Sequence, residues 1–505
     1  MGEGRGRGFY LALYTLHSIF QGLSDLFFKP DHSFLFCSVS FWVLFIVFFA
    51  LFIRIRNCRR RLMLAYVVLF GLLISWKVNG WGMLLMPATA FLSWYMTEMM
   101  KTAGGGKYAR RWLWTIIITD LLPLVYFKYT GFFVGIFDNL FATNFAPEHL
   151  ILPVGLSFYT FQAISYSVDV YKERITYDVS LLEYFFYITF FPLLFAGPIT
   201  RTDTLVPQLR ERKPVDGRLV NLGFWLIILG LLKKGLVADF IADYNNWIFD
   251  APQTYSGFEV LMGVVGFYVQ IYCDFSGYSD LSIGLAALLG FRLLPNFNFP
   301  YRAQNVTDFW HRWHISLSTW FRDYVYIPLG GNRKGQLRTY LNNFITMLVA
   351  GLWHGASWMF VIWGGMHGLG LIIHKLCRQL FLDRVRDSWP VRTLSIILTA
   401  LFVMVAWVFF RAPDMAHVAT IFSQIANDFS WDYLPVFLRV RTTWFVLVAL
   451  ALAIHWLIPD RHYQWLRSQV VDCHWAVKLL IFAITVQLLI HFSQESVQPL
   501  LYSQF

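Results

Sequence analysis

Apolar residues fall along this chain in long runs, not in the period-two alternation of a half-buried strand. Runs near 34–53, 62–78, 80–98 and 112–130 match spanning helices in length, because crossing a hydrocarbon core of about 30 Å takes about 20 apolar residues. Further runs lie near 150–170, 183–199, 219–238, 258–292, 341–376, 393–410, 443–458 and 476–494. The 258–292 run reads either as one long helix or as a broken pair. Ahead of the first run, Phe9, Leu13, Leu16, Phe20, Leu23 and Phe27 recur with Thr15, Ser18, Gln21 and Asp25 between them. That spacing predicts an amphipathic helix lying in the membrane interface. The pattern as a whole predicts an all-α polytopic membrane protein embedded in a lipid bilayer.

Composition agrees. Of 505 residues, 57% are hydrophobic and 14% charged, with a mean hydropathy of +0.52, against about 25% charged in a soluble domain. Disorder, a collagenous rod and a disulfide scaffold are excluded. The net charge of +11 would suggest a nucleic-acid partner in a soluble chain. Here the Lys and Arg fall in short loops, where they set topology, and no zinc-finger spacing or long basic tail accompanies them. No nucleic-acid partner is expected. Cys37, Cys58, Cys273, Cys377 and Cys473 are scattered and odd in number, so no disulfide framework is indicated. No cleavable signal peptide follows the first residues, and Gly6 stands where a myristoylation signal needs Ser or Thr.

Basic loops predict the orientation. Arg54, Arg56, Arg59, Arg60 and Arg61, and then Lys101, Lys107, Arg110 and Arg111, should face the cytoplasm. The 131–148 loop, with Asp138 and Glu148 but no Lys or Arg, should lie outside. Lys172 and Arg174, and again Arg201, Arg210, Arg212 and Lys213, look cytoplasmic, yet only the 183–199 run separates them. Gly197 and Pro198 break that run, which predicts a re-entrant segment covered by protein.

Residues 270–340 are too polar for a lipid-facing helix and too aromatic for a free loop. Trp310, Trp313, Trp320, Tyr324 and Tyr326 alternate with His311, Arg312, His314, Arg322 and Asp323. An interfacial helix with an aromatic belt would give the same composition. Against that, Asp274 and Asp280 sit in a run that otherwise reads as a span, and intramembrane carboxylates face a bundle interior or a wet cavity.

Between Arg338 and Lys375 lie 36 residues, too few for two full spans and a turn if both ends are cytoplasmic. Two short or tilted helices joined near 351–358 are expected. His354 is 16 steps from Arg338, roughly 24 Å at about 1.5 Å per helical residue. That depth makes it a functional candidate, although a neutral His hydrogen-bonded to a facing helix would also fit. His367 and His374 read as structural. His311 and His314 have no accompanying metal-ligand framework, and no metal site is expected. The Gly104-Gly105-Gly106-Lys107 run lacks the Ser or Thr of a phosphate-binding loop. Gly155-Leu156-Ser157-Phe158-Tyr159 is not a nucleophile elbow.

Several stretches together resemble the membrane-bound O-acyltransferases, in particular their bacterial alginate-type exopolysaccharide acetylases. They are LPVGLSFYTFQAISYSVDVY (152–171), FFPLLFAGPITR (190–201), QIYCDFSGYSDLSIG (270–284), NFNFPYRAQNVTDFWHRWHISLSTWFRDYVYIPLGGNR (296–333), LWHGASWMFVIWGGMHG (352–368) and WVFFRA (407–412), with LLYSQF (500–505) like the family's aromatic ending. The resemblance covers most of 150–412 and the tail; 1–149 match only as a pattern of spans. It implies a helical bundle with a central tunnel or funnel and re-entrant or short broken helices. It divides the chain into an interfacial segment (1–33), N-terminal spans (34–149), a catalytic core (150–378) and C-terminal spans with a tail (379–505). It maps the catalytic His onto His354 and a second polar position onto His314. Asp274, Trp310, Arg322, Asp323, Tyr324 and Trp353 become substrate or tunnel candidates, and Arg333 and Lys334 candidates for contacting the donor's phosphates. It places the chain in the bacterial inner membrane.

The chemistry fits. Acyl transfer from a thioester to a hydroxyl needs a base near neutral pH, which an imidazole supplies, and a site that excludes water protects the thioester. A general-base route and an acyl-His intermediate both remain open. No cofactor is expected to stay bound; acetyl-CoA or another acyl thioester would be the donor substrate. The acceptor would be an extracytoplasmic polysaccharide, reached directly or through a periplasmic SGNH-type acetyltransferase partner. D-alanyl transfer of the teichoic-acid type is an alternative, and a transporter or flippase is another, since broken helices and intramembrane charges suit it as well.

Overall fold

The structure is a computed structural model, and it describes residues 29–30, 36–145, 150–211, 216–380 and 388–492. The expected amphipathic helix before residue 34 and the final LLYSQF lie outside these residues. The described residues form helices and no strands. The chain divides into two compact units: 1–123 with 151–195, and 124–150 with 196–505.

The first unit contains α1 (Val39–Ile55), α2 (Arg60–Asn79), α3 (Leu85–Thr102) and α4 (Gly106–Leu124), then α6 (Leu156–Tyr171) and α7 (Leu181–Thr189). Its core is phenylalanine. Phe41, Phe45, Phe48 and Phe52 recur along one face of α1 and are buried. Phe48 stacks on Phe70 of α2 with ring centroids 3.9 Å apart, and Phe191 closes on Phe70 edge-on at 5.0 Å. Some polar groups inside this core are paired, which offsets the cost of burial: Ser93 donates to Asp120 at 3.0 Å, and Arg60 pairs with Glu183. Ser180 and Glu183 form a capping box that starts α7.

The second unit begins with α5 (Thr130–Phe141) and continues with α8 (Thr202–Glu211), α9 (Gly217–Leu231), α10 (Asp239–Asp250) and α11 (Gly257–Leu288). Short α12 (Val306–Arg312) and α13 (Ile315–Phe321) follow, then α14 (Gln336–His354), α15 (Trp358–Leu380) and α16 (Trp389–Arg411). The chain ends in α17 (Met415–Asn427), α18 (Tyr433–Val440), α19 (Thr442–Leu457), α20 (Asp460–Asp472) and α21 (Trp475–Phe492). Helices α9 and α11 run antiparallel and nearly touch. A Cβ on Gly223 would stand 2.8 Å from the Gly284 carbonyl oxygen, and one on Gly230 would stand 2.6 Å from that of Gly277. Small residues permit such an approach where lipid offers no hydrophobic drive. A one-turn π segment, Leu232–Ala238, follows α9 and turns Lys234 inward.

Six helical stretches among the described residues are long and apolar enough to cross a membrane: Arg60–Thr102, Gly106–Phe141, Gly257–Leu288, Trp358–Leu380, Trp389–Arg411 and Trp475–Phe492. A seventh is added if α18 and α19, bent by 92°, count as one span. The twelve apolar runs of the sequence therefore do not translate one for one. The 150–170 run is α6, 16 residues long and buried over most of its surface. The 183–199 run holds only the nine-residue α7 and a 3-10 turn at Phe191–Leu193, too short to cross. The 258–292 run is a single helix to Leu288, and 341–376 divides into α14 and α15 with a break at 355–357. The expected loop at 131–148 is helical up to Phe141. Asp138 ends that helix by accepting from Thr143 Oγ1 at 2.6 Å and from the Phe145 N–H at 3.2 Å.

Candidate active site

His354 is the last residue of α14. The last carbonyls of a helix have no partner within it, and here they are met by side chains from the start of the same unit. Lys128 Nζ donates to the carbonyls of Trp353 at 2.7 Å and His354 at 2.9 Å, and the Tyr129 hydroxyl donates to that of Leu352 at 2.6 Å. Lys128 and Tyr129 lie on the π turn Val125–Tyr129, which places the two consecutive side chains on these carbonyls. A cation at a helix C-terminus also complements the helix dipole. Across the break, Gly364 of α15 packs against Gly351 and the Met347 carbonyl of α14, closing the hairpin. The imidazole of His354 is buried among Trp353, Trp363 and Phe410, at ring-centroid distances of 4.9, 4.9 and 5.2 Å.

His314 lies between α12 and α13, and its backbone is left-handed, with φ 41° and ψ 57°. A non-glycine residue held there is strained, and such strain clusters at functional sites. The surrounding network over-determines it. The Ser316 N–H and hydroxyl donate to Asn296 Oδ1 at 3.2 and 2.9 Å, and Ile315 N–H donates to the Asn296 carbonyl at 2.9 Å. Ser316 Oγ in turn accepts from the Ile199 N–H at 2.9 Å. Asn296 Nδ2 donates to Ser279 Oγ of α11 at 3.2 Å. Because a backbone N–H only donates, the Asn296 atom facing Ser316 is the oxygen. The same oxygen lies 3.1 Å from His314 Nδ1. The proton of a neutral His314 therefore sits on Nδ1, and Nε2 keeps its lone pair. The ring is fully buried, with Phe275 at 4.6 Å and Trp353 at 6.3 Å between centroids. Trp353 thus contacts both histidines.

The other residues singled out in the sequence separate into groups. Trp310 Nε1 donates to His367 Nδ1 at 3.3 Å, and Trp363 lies between His354 and His367. His374 Nδ1 is 2.9 Å from Thr307 Oγ1. His311, three residues from His314, is exposed, so the two share no site. Asp323 accepts from Arg322 Nε at 2.7 Å and Arg201 Nη2 at 2.6 Å, and Arg201 also donates to the Tyr324 hydroxyl at 3.0 Å. Burial works against the Asp323 charge, but the Arg322 and Arg201 guanidiniums outweigh it and hold the carboxyl below the usual carboxylate range.

Asp274 of α11 is clamped by Lys234 at 2.5 Å, and Lys234 also binds Asp239 at 2.7 Å. It therefore belongs to the ion cluster between α9, α10 and α11, and its neighbour Phe275 contacts the His314 ring. Arg333 and Lys334 are exposed in a turn and make no ion pair among the described residues; the structure does not gather them with the Arg322 group. Sequence reasoning missed Lys128, Tyr129 and Asn296 and gave Arg201 no role beyond topology.

The arrangement offers a buried imidazole with a defined tautomer, a second imidazole at a pinned helix end, and an aromatic wall that excludes water. The chain is similar in sequence to known proteins. The family model for the membrane-bound O-acyltransferases matches residues 72–413. The probable alginate O-acetylase of Azotobacter vinelandii is 38% identical over 387 residues, covering 75% of each chain. That of Pseudomonas aeruginosa is 35% identical over 401 residues, 79% of this chain and 76% of its own. The peptidoglycan O-acetyltransferase of Helicobacter pylori is 36% identical over 334 residues, 61% of this chain and 63% of its own. By the extent of these matches, the chain belongs to the membrane-bound O-acyltransferase family.

Proposed function

We propose that this O-acyltransferase moves an acetyl group from a cytoplasmic thioester, acetyl-CoA or a similar donor, toward a polysaccharide hydroxyl outside the inner membrane. The transfer reaches an alginate-type exopolysaccharide directly or through a periplasmic SGNH-type partner that completes it. The observation that carries this reading is the pairing of His354 and His314 around Trp353 in one water-poor cluster. The O-acetylating relatives are 35–38% identical over 61–79% of this chain, whereas two teichoic acid D-alanyltransferases match at 25% and 29% over 60% and 45%; this favours acetyl over D-alanyl transfer, and family membership removes the transporter alternative.

In the general-base route, His354 takes the proton of the acceptor hydroxyl as its oxygen attacks the thioester carbonyl. The tetrahedral oxyanion collapses, the C–S bond breaks, and the imidazolium returns its proton to the leaving thiolate. In the second route, an unprotonated imidazole nitrogen attacks the carbonyl first, expelling the thiolate. The acyl-imidazolium then passes its acetyl group to the hydroxyl oxygen, the C–N bond breaks to restore neutral imidazole, and the hydroxyl's proton ends on the thiolate. The lone pair on His314 Nε2 suits either a second base or a hydrogen-bond acceptor that orients the hydroxyl. The aromatic wall keeps water from hydrolysing the donor.

The test uses membrane vesicles and radiolabelled acetyl-CoA. Inverted vesicles should transfer acetyl, and right-side-out vesicles given external donor should not. His354→Ala and His314→Ala should each lower transfer by about 10²–10⁴-fold, the usual worth of a general base, while the protein accumulates normally. Equal transfer from both faces would overturn the direction, and an active, stable His354→Ala would overturn the mechanism.

A further inference from the structure

A cavity of about 440 Å³ opens between α9, α11 and α20, away from the histidines. Its lining combines two chemistries. It includes Arg218, Arg292 and Arg467 with a single carboxylate, Asp216, among the described residues. Asp216 is already committed: one oxygen accepts from the Arg218 backbone N–H at 2.9 Å, starting α9, and the other pairs with Arg292 at 2.9 Å. Arg467 reaches only Gln464 Oε1, at 3.3 Å, and Arg218 makes no ion pair among the described residues. Among the described residues, Arg218 and Arg467 therefore line the cavity without a paired anion.

The rest of the cavity is an apolar slot. Leu219, Leu222 and Leu226 lie on one face of α9, at helical spacing, opposite Ile283 and Ala287 of α11. The slot begins where α9 starts and α11 ends, because the two helices are antiparallel. It therefore runs from a membrane interface along the seam of α9 and the spanning helix α11. Gln464, Arg467, Ser468 and Val471 form one face of α20, and they lie over the opening. The basic cluster Arg201 and Arg210 is on the segment just before α9, and Gln208 of that segment exchanges hydrogen bonds with the Arg292 backbone. By the charge rule this is the cytoplasmic end, the leaflet that carries anionic lipid.

We propose that this cavity binds one anionic glycerophospholipid, with its phosphate at Arg218 and Arg467 and an acyl chain lying along Leu222 and Ala287 beneath α20. A free phosphate would use the guanidiniums and leave the apolar slot unfilled. A zwitterionic lipid would fill the slot but bring its own cation toward the arginines. Only a lipid with net negative charge matches both the guanidiniums and the apolar slot. Guanidinium suits the role by its fork of donors and weak hydration. The proposal is independent of the transfer chemistry at His354.

Native mass spectrometry and thermal-shift assays on the purified full chain in neutral detergent test it. The probes are phosphatidylglycerol, phosphatidylcholine with the same acyl chains, and inorganic phosphate. Phosphatidylglycerol should be retained and raise the Tm; the other two should not. Arg218→Gln with Arg467→Gln should weaken phosphatidylglycerol binding about thirtyfold, at about one tenfold step or less per neutralised cation. Leu222→Trp, which fills the slot and leaves the arginines in place, should lower retention as well. Equal shifts with phosphatidylcholine would reduce the cavity to ordinary lipid contact, and equal shifts with inorganic phosphate would make it a phosphate site. Unchanged binding in the double variant would place the lipid elsewhere. Any of these three overturns the proposal.

Discussion

The Lys128 ammonium lies 2.9 Å from the carbonyl oxygen of His354 and 2.7 Å from that of Trp353. With Tyr129 it holds the end of the helix that presents the imidazole. Removing the cation leaves polar carbonyls in an apolar setting and frees the last turn. Displacement of a reacting group by about 1 Å costs up to about 10² in rate. Lys128→Met should therefore lower kcat by about 10–100-fold with little change in donor KM, and Lys128→Arg should recover part of it. Steady-state kinetics in proteoliposomes checks this. A pure KM effect would mean that Lys128 contacts the donor and not the helix end.

Asn296 sets the tautomer of His314 through its Oδ1. Asn296→Ala removes the acceptor, so the ring is free to place its proton on either nitrogen. Activity should fall, by up to on the order of 10²-fold if His314 acts through Nε2. Asn296→Asp keeps an acceptor and adds a negative charge that favours the imidazolium. Its pH–rate profile should shift its acid limb to higher pH, since the base must lose its proton first. An unshifted profile with normal accumulation would show that the Asn296 contact does not govern the titration.

How far these contacts could be read from sequence depends on separation. His354 and His314 stand in motifs, so their residue types and neighbours mark them. Their supports carry no such mark. Lys128 is 226 residues from His354, Tyr129 is 223 from Leu352, and Arg201 is 122 from Asp323. No spacing rule links such pairs; only the fold brings them together. Apolar runs are ambiguous in the same way. Helix α6 reads as a span because its residues are apolar, yet protein and not lipid covers it. Asp138 suggests a loop by its charge, yet it serves as the polar stop of an apolar helix. Composition reports that a side chain avoids water and is silent about what replaces the water.

Orientation is open to a direct measurement. The sequence reading puts the region after α5 outside the cytoplasm, and Leu140 near the end of that helix is exposed. Leu140→Cys, in a background with the native cysteines replaced, should react with an impermeant maleimide in right-side-out vesicles. A cysteine introduced at Gly105, in the turn between α3 and α4, should react only in inverted ones. The reverse pattern would invert the assigned topology and, with it, the side from which the donor enters.

Asp323 gives a prediction in pH. It lies outside the membrane-spanning helices, where Arg322 and Arg201 hold its carboxyl below the usual range against the opposing effect of burial. A carboxylate with a depressed folded pKa contributes stability that is fully present above its unfolded pKa, about 3.9. That contribution is lost as pH falls through the folded value. The Arg201–Asp323–Arg322 group should therefore be intact from pH 5 to pH 8 and come apart only in stronger acid. Asp323→Asn preserves the shape and removes the charge. It should cost about 1 kcal/mol at pH 7, a modest figure because solvent screens a partly exposed cluster. Thermal unfolding of both proteins across pH decides it: the wild-type advantage should be flat down to about pH 4 and shrink below that. An advantage that grows in acid would mean that Asp323 is not held as the anion between the two arginines.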